Sequence, residues 1–259
     1  MPKLAANVST MFKEQPFLDR FAAAGNAGFR AVEFQYGYEW PAREIALRAR
    51  DAGVKVVLLN MPRGDPGGPG EYGTACVPGM EPRFRSDLEQ AIEYAQALDC
   101  AQVHCMAGVV PPGLERSQVH QTYVENLRHA AARLAKEGLQ ALIEPLSAGT
   151  VAGCFLTGSA QAAAIIDEIG AGNLRLQYDF FHMQMMEGNL AATFERLLTC
   201  IGHLQLADVP GRHEPGSGEI NYDFLLRHVD RLGYSGWIGC EYNPAGDTLE
   251  CLKWAKPYL

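Results

Sequence analysis

Short apolar runs alternate along the chain with amphipathic stretches, in a beat of about 30 residues. The runs at 4–9, 31–36, 55–61, 102–107, 139–144, 174–179, 202–207 and 237–241 are too short for buried helices and read as buried strands. Between them, 17–27, 41–52, 83–98, 118–136, 159–169, 190–200 and 222–232 read as helices, and a short one at 248–254 closes the chain. The clearest helical stripe is Leu88, Ala91, Ile92, Ala95 and Leu98. The stretch 41–52 has Pro41 at its first turn and Gly53 just past its end, the expected start and stop signals. Strands that alternate with helices imply right-handed βαβ crossovers and a parallel sheet. Eight such units in 259 residues favour a single (β/α)8 TIM barrel, one domain over 1–259, with its active site at the C-terminal ends of the strands. Two long glycine-rich loops, 62–82 and 209–218, follow strands three and seven on that side.

Side chains alternate along a strand, so parity decides which of them face the barrel axis. If Glu241 points inward, Trp237 and Gly239 do too. The same logic pairs Leu142 with Glu144, Gln177 with Asp179 and His203 with Gln205, and lets Asn7, Glu33 and His104 share the inward face. Four strand ends then offer Glu144, Asp179, Gln205 and Glu241. That oxygen-rich set suits a hard divalent cation and the movement of protons on carbon. Three carboxylates that converged with no cation would repel and raise one another's pKa. Glu33 and His104 have a plainer alternative, as hydrogen-bonded groups that fill the barrel. His182, three residues after Asp179, is placed to bond a substrate hydroxyl or carboxylate, or is a polar loop histidine. After strand seven, Asp208, Arg212, His213 and Glu214 cluster, and Arg212 is the candidate to hold a substrate anion, unless it is a solvated loop charge. His104 is a further candidate substrate contact.

Charge and composition narrow the partners. The formal charge is -8, from 22 basic and 30 acidic side chains, with no basic block, so nucleic acid and anionic membranes are not expected partners. No apolar run approaches a membrane span, and the first residues lack a secretory core, so a cytoplasmic protein is expected. The seven cysteines contain no Cys-x-x-Cys pair and read as reduced core residues. There is no Gly-x-Ser-x-Gly elbow and no phosphate-binding Gly-Lys-Ser/Thr loop. Every lysine lies near a terminus, on a helix or at a strand start, which disfavours Schiff-base chemistry.

Four segments carry a resemblance: Gln177-Tyr178-Asp179-x-x-His182-Met183-Gln184, His203-Leu204-Gln205-Leu206-Ala207-Asp208, His213 through Tyr222, and Gly236 through Tyr242. Together they resemble the hydroxypyruvate isomerase family of the xylose-isomerase-like barrels, nearly end to end. The resemblance implies a metal-dependent aldose-ketose isomerase that interconverts hydroxypyruvate and tartronate semialdehyde through an enediolate. The alternatives are a 2-oxo-tetronate isomerase of the same family or a related sugar isomerase or epimerase. The family's metal ligands fall on Glu144, Asp179, Gln205 and Glu241, and its proton-transfer pair on Glu144 and Glu241. The implied cation is Mg2+ or Mn2+, and the implied partner a small hydroxy-oxo acid; a homo-oligomer stays open. Gln205 departs from the histidine common in related epimerases. A metal-dependent abasic-site endonuclease on a similar barrel would want several histidine ligands and a basic groove, which the acidic balance disfavours.

Overall fold

A computed structural model of the protein describes every residue except Pro66 and Pro69. Eight strands, β1 (Lys3–Asn7), β2 (Ala31–Phe34), β3 (Lys55–Asn60), β4 (Gln102–His104), β5 (Gln140–Ile143), β6 (Leu174–Asp179), β7 (Ile201–Leu206) and β8 (Trp237–Cys240), pair in sequence order into a closed barrel. Every pairing is parallel, and β1 closes on β8 with Ala5 opposite Gly239. The helices among the described residues are α1 (Arg20–Asn26), α2 (Ala42–Asp51), α3 (Glu81–Ala97), α4 (Arg116–Ala135), α5 (Ser159–Ile169), α6 (Phe180–Met186), α7 (Leu190–Leu197) and α8 (Tyr222–Arg231). Two 3-10 segments, Phe17–Asp19 and Glu250–Tyr258, flank them. This is the (β/α)8 TIM barrel expected from the pattern.

Both faces of each strand are buried, as parallel strands require, but they are buried differently. Outward residues such as Val32, Phe34, Val103, Ile143, Tyr178, Leu204 and Ile238 pack into the large core under the helices. Inward residues form two layers. Ala5, Ala31, Val57 and Trp237 make a small apolar plug low in the barrel. Above it the interior turns polar, with Asn7, Glu33, Asn60, His104, Gln177, His203 and Gln205 all buried. That change of polarity along one face marks the C-terminal mouth as the end where chemistry sits.

Several boundaries differ from the pattern. Every observed strand except β6 stops short of its apolar run, because the backbone leaves its pairing at the mouth: Glu144 and Glu241 each lie one residue beyond β5 and β8. Helix α3 begins at Glu81, two residues before the expected start, with Pro82 in its first turn. The closing helix is the 3-10 segment Glu250–Tyr258 instead of 248–254. The stretch after Asp179, expected as a loop, is α6. It starts directly from β6 because the Asp179 carboxylate caps it, with Oδ1 accepting from the Phe181 N–H at 2.8 Å. All seven cysteines are unpaired, and five of them are buried. Among the described residues no helix is long and apolar enough to cross a membrane.

Candidate active site

β5 to β8 are neighbours, so Glu144, Asp179, Gln205 and Glu241 line one arc of the mouth. All four are buried, at 5%, 0%, 1% and 3% exposure, which is unusual for carboxylates that lack a compensating charge. Glu144, Asp179 and His182 each present a ligand-type atom within 4.8 Å of the others. His182, buried on α6, has Nε2 at 3.7 Å from Asp179 Oδ2 and 4.0 Å from Glu144 Oε1. Its Nδ1 accepts from the Ser147 backbone N–H at 3.1 Å. That leaves the hydrogen on Nε2, a donor aimed at the carboxylates or at an oxygen held between them.

Arg212 supplies the positive charge. Its guanidinium pairs with Glu241 Oε1, lies 3.6 Å from Asp179 Oδ2 and sits 5.0 Å over the Phe181 ring. Asp208 explains how the loop delivers it. The fully buried carboxylate accepts from four backbone N–H groups: Val209 and Ile220 on Oδ1 at 3.0 Å each, and Gly216 and Gly218 on Oδ2 at 2.9 and 3.0 Å. Around this anchor the chain turns through Arg212 at φ 53°, in the left-handed region. Asn243 N–H then donates to the Arg212 carbonyl at 2.9 Å, and His213 Nδ1 contacts the Asn243 carbonyl at 2.7 Å. Thus the expected polar cluster divides. Arg212 reaches the mouth, while Asp208, His213 and Glu214 tie the loop together and to the segment after β8.

His104 faces the site from β4, with Nδ1 3.6 Å from Glu144 Oε2 and 3.2 Å from Asn60 Oδ1. Three more side chains contribute: Gln177 and Asn7, which parity places on the inward face without a role, and Gln35, which the sequence reading does not name. Gln177 Nε2 bridges Glu144 Oε2 at 2.9 Å and Gln205 Oε1 at 2.7 Å. Gln35 Nε2 donates to Glu241 Oε1 at 2.7 Å, and Asn7 Nδ2 to Glu241 Oε2 at 3.4 Å. Parity was the available signal, since Gln35 shares the face of Glu33.

Known proteins give this geometry a lineage. The xylose isomerase-like TIM barrel pattern matches residues 21–258. The chain belongs to that family. It is 46% identical to the 2-oxo-tetronate isomerase of Pectobacterium atrosepticum, covering 100% of this chain and 98% of that one. It is 45% identical to the hydroxypyruvate isomerase of Escherichia coli, covering 100% of both. A crystal structure from Brucella melitensis, described as AP endonuclease, family 2, superposes with a TM-score of 0.96 at 42% identity, covering 100% of this chain and 99% of that one.

In this xylose isomerase-like barrel the electrostatics of the mouth are those of an anion cluster that Arg212 compensates only in part. Burial, with Glu241 and Asp179 nearby, pushes the Glu144 pKa well above the usual carboxylate range. Burial takes Asp179 to about 6, against the pull of Arg212 and the Phe181 N–H. It takes Glu241 to about 8, although Arg212 opposes the rise. Burial, Arg212 and His104 hold His182 well below its ordinary value, and burial with His203 nearby brings His104 to about 3, so both rings stay neutral. Glu144 Oε1 and Asp179 Oδ2 are buried with no hydrogen-bond partner. A hard cation between these two oxygens would satisfy both, so the donor set fits one. Gln205 Oε1 and Glu241 Oε1 face Gln177 and Arg212.

Proposed function

We propose that the protein is an isomerase of a small 2-oxo-3-hydroxy acid, with hydroxypyruvate and tartronate semialdehyde as its substrate and product. The observation that carries this reading is the convergence of Glu144, Asp179 and Glu241 at one buried mouth, with unpartnered oxygens on the first two. The 45% identity to a hydroxypyruvate isomerase supports it.

Moving a carbonyl between adjacent carbons requires one C–H bond to break and another to form, with an enediolate between. Glu144 and Glu241 flank the space and serve as the proton-transfer pair. One takes a proton from the hydroxyl-bearing carbon and a proton returns to the neighbouring carbon from the pair, while the hydroxyl proton passes from its oxygen to the former carbonyl oxygen. Their environments are unequal: Glu144 keeps a free oxygen, whereas Glu241 accepts from Arg212, Gln35 and Gln205. Such inequality lets one carboxyl hold a proton while the other accepts one. Arg212 holds the acid end of the substrate, and the Nε2–H of His182 orients an oxygen beside the reacting carbons, with His104 behind Glu144. Glu144, Asp179, Gln205 and Glu241 would hold a divalent cation, Mg2+ or Mn2+. When bound, it polarises the carbonyl and stabilises developing negative charge. Burial of the site keeps bulk water from quenching the enediolate.

A 2-oxo-tetronate is the second reading, favoured by a cavity of about 400 Å³ beside the mouth. Ser9, Gln35, Tyr36, Trp40 and Arg63 line it, and Gln35 joins it to Glu241. A relative at 46% identity acts on that acid. The net charge of -8 disfavours a nucleic-acid substrate.

The test is turnover by chelator-stripped protein, with hydroxypyruvate and then a 2-oxo-tetronate, before and after adding Mg2+ or Mn2+. Cation-restored turnover of hydroxypyruvate supports the reading. Turnover of the four-carbon acid alone moves the assignment to the second, and failure with both ends it.

A further inference from the structure

Below the carboxylates that flank the substrate space lies a second set of polar groups that the proposed chemistry does not use. At its centre is Glu33 on β2, fully buried on the barrel axis. Three donors converge on it: His203 Nε2 at 2.6 Å on Oε2, and Gln205 Nε2 at 2.8 Å and Asn7 Nδ2 at 3.0 Å on Oε1. The room for this carboxylate comes from Gly239 on β8, where an added Cβ would fall far inside van der Waals contact with both Glu33 oxygens. A glutamate is thus laid across the barrel into a notch that only glycine leaves open.

The arrangement acts on Gln205. Its Nε2 gives hydrogens to Glu33 Oε1 and to Glu241 Oε2, the latter at 2.5 Å, so both hydrogens of the amide are committed. Its Oε1 therefore faces the opposite side, toward Gln177 and Glu144. With the amide turned over, the oxygen would meet two acceptor carboxylates and the NH2 group would meet the Gln177 donor. Glutamine has two nearly isosteric orientations, and its neighbours alone choose between them. The same contacts reach Glu241, because Gln205 and Asn7 both also donate to its Oε2.

We propose that Glu33 is a positioning residue: held by His203 in the Gly239 notch, it sets the direction of the Gln205 amide, so that the oxygen faces the Glu144 side and Glu241 Oε2 keeps its donor. The inference rests on the isomerase reading for its consequence in catalysis, but the claim about the amide stands on contacts within the barrel.

Glu33→Gln tests it, since it keeps size and shape but replaces one acceptor oxygen with a donor. The first readout needs no cation and no turnover. In wild-type protein the Gln205 side-chain N–H pair, assigned by its loss in Gln205→Ala, should give NMR signals shifted by two carboxylate acceptors and protected from exchange. In Glu33→Gln these should move, and protection should fall by roughly tenfold or more. The second readout is Mn2+ affinity by calorimetry, where the variant should lose about 10–100-fold. In a Gln205→Ala background the same change should cost little more, because the effect passes through Gln205. A Glu33 that merely fills the barrel predicts unchanged Gln205 signals and losses that multiply; either result overturns the proposal. If Glu33→Gln does not fold, His203→Gln releases Glu33 from its other side and is read in the same way. A wild-type protein that binds no Mn2+ and turns over neither acid ends the isomerase reading, while the Gln205 signals still decide the role of Glu33.

Discussion

Replacing Arg212 with Gln removes the guanidinium that faces Glu241 and Asp179 and leaves a neutral amide of shorter reach. Loss of one partner from a buried ion pair costs ~3–5 kcal/mol, chiefly because the remaining charge is stranded. The Arg212 side chain is 20% exposed, which puts the expectation at the lower end, ~3 kcal/mol. The carboxylates have one escape, which is to take up a proton. Glu241 already sits at about 8 with Arg212 in place. Removing the guanidinium raises it further, so near pH 6 it is protonated at little cost, whereas near pH 9 holding that proton costs ~1.4 kcal/mol per pH unit. The variant should therefore be destabilised by ~3 kcal/mol near pH 9, or roughly 10 °C in Tm, and by clearly less near pH 6. A divalent cation bound at the mouth replaces the lost charge, so added Mg2+ should stabilise the variant more than the wild type. Urea unfolding in chelator at the two pH values, with and without Mg2+, measures all of this. A loss below ~1 kcal/mol at both, or a larger loss at the lower pH, would refute the account of Arg212 as the balancing charge of the cluster.

Four further outcomes follow from the same geometry. Glu241→Gln should fold normally yet lower turnover by about 10²–10⁴-fold, and a variant that keeps about a tenth of the wild-type rate removes Glu241 from the proton-transfer pair. In the metal-free wild type, Asp179 and Glu241 have folded pKa values raised to about 6 and about 8 from ordinary values of 3.8 and 4.5. Their stabilising contribution is therefore complete below about pH 4 and is lost as pH rises through about 6 and about 8, so chelated protein should weaken over that window and cation should flatten the curve, as a pH series of urea midpoints would show. Gly239→Ala drives a methyl into the Glu33 carboxylate and should cost ~1–3 kcal/mol together with Mn2+ affinity, whereas an unchanged urea midpoint contradicts the notch. Asp208→Ala strips four N–H partners and should lose activity by displacing Arg212, seen as a rise in KM for the acid, while an unchanged KM separates the loop anchor from substrate binding.

The barrel could be read from the chain because each strand carries a short run of apolar outward-facing residues bounded by turn residues, and the eightfold beat leaves few other topologies. Glu144, Asp179 and Glu241 were legible for the same reason: a carboxylate that ends such a run has nowhere to go but the mouth. Partnerships were not legible. The contacts of Gln177 with Glu144 and of Gln205 with Glu33 depend on register between strands, and β2 against β3 and β6 against β7 both contain a shift that no single strand reveals. Helix α6 escaped because seven residues make only two turns, too few to show a period, and its start depends on a cap supplied by a residue already assigned to chemistry. Asp208 was grouped with Arg212 because they are neighbours in sequence, whereas the fold turns the one inward to backbone and the other toward the mouth.

The four backbone N–H groups gathered on Asp208 have one more consequence. The segment that bears Arg212 is already arranged before any acid arrives, so binding spends no conformational entropy on ordering that arm. Capture of the acid should then be limited by encounter and desolvation, without a closing step of this segment. The rim where Gln35, Tyr36 and Arg63 border the cavity beside the mouth is tied differently, with the Gln35 and Tyr36 N–H groups donating to the Ser9 hydroxyl alone. On the proposed role of Arg212, evolution or engineering could alter that rim to admit a longer or shorter chain while the charged end of each guest met the same fixed hand.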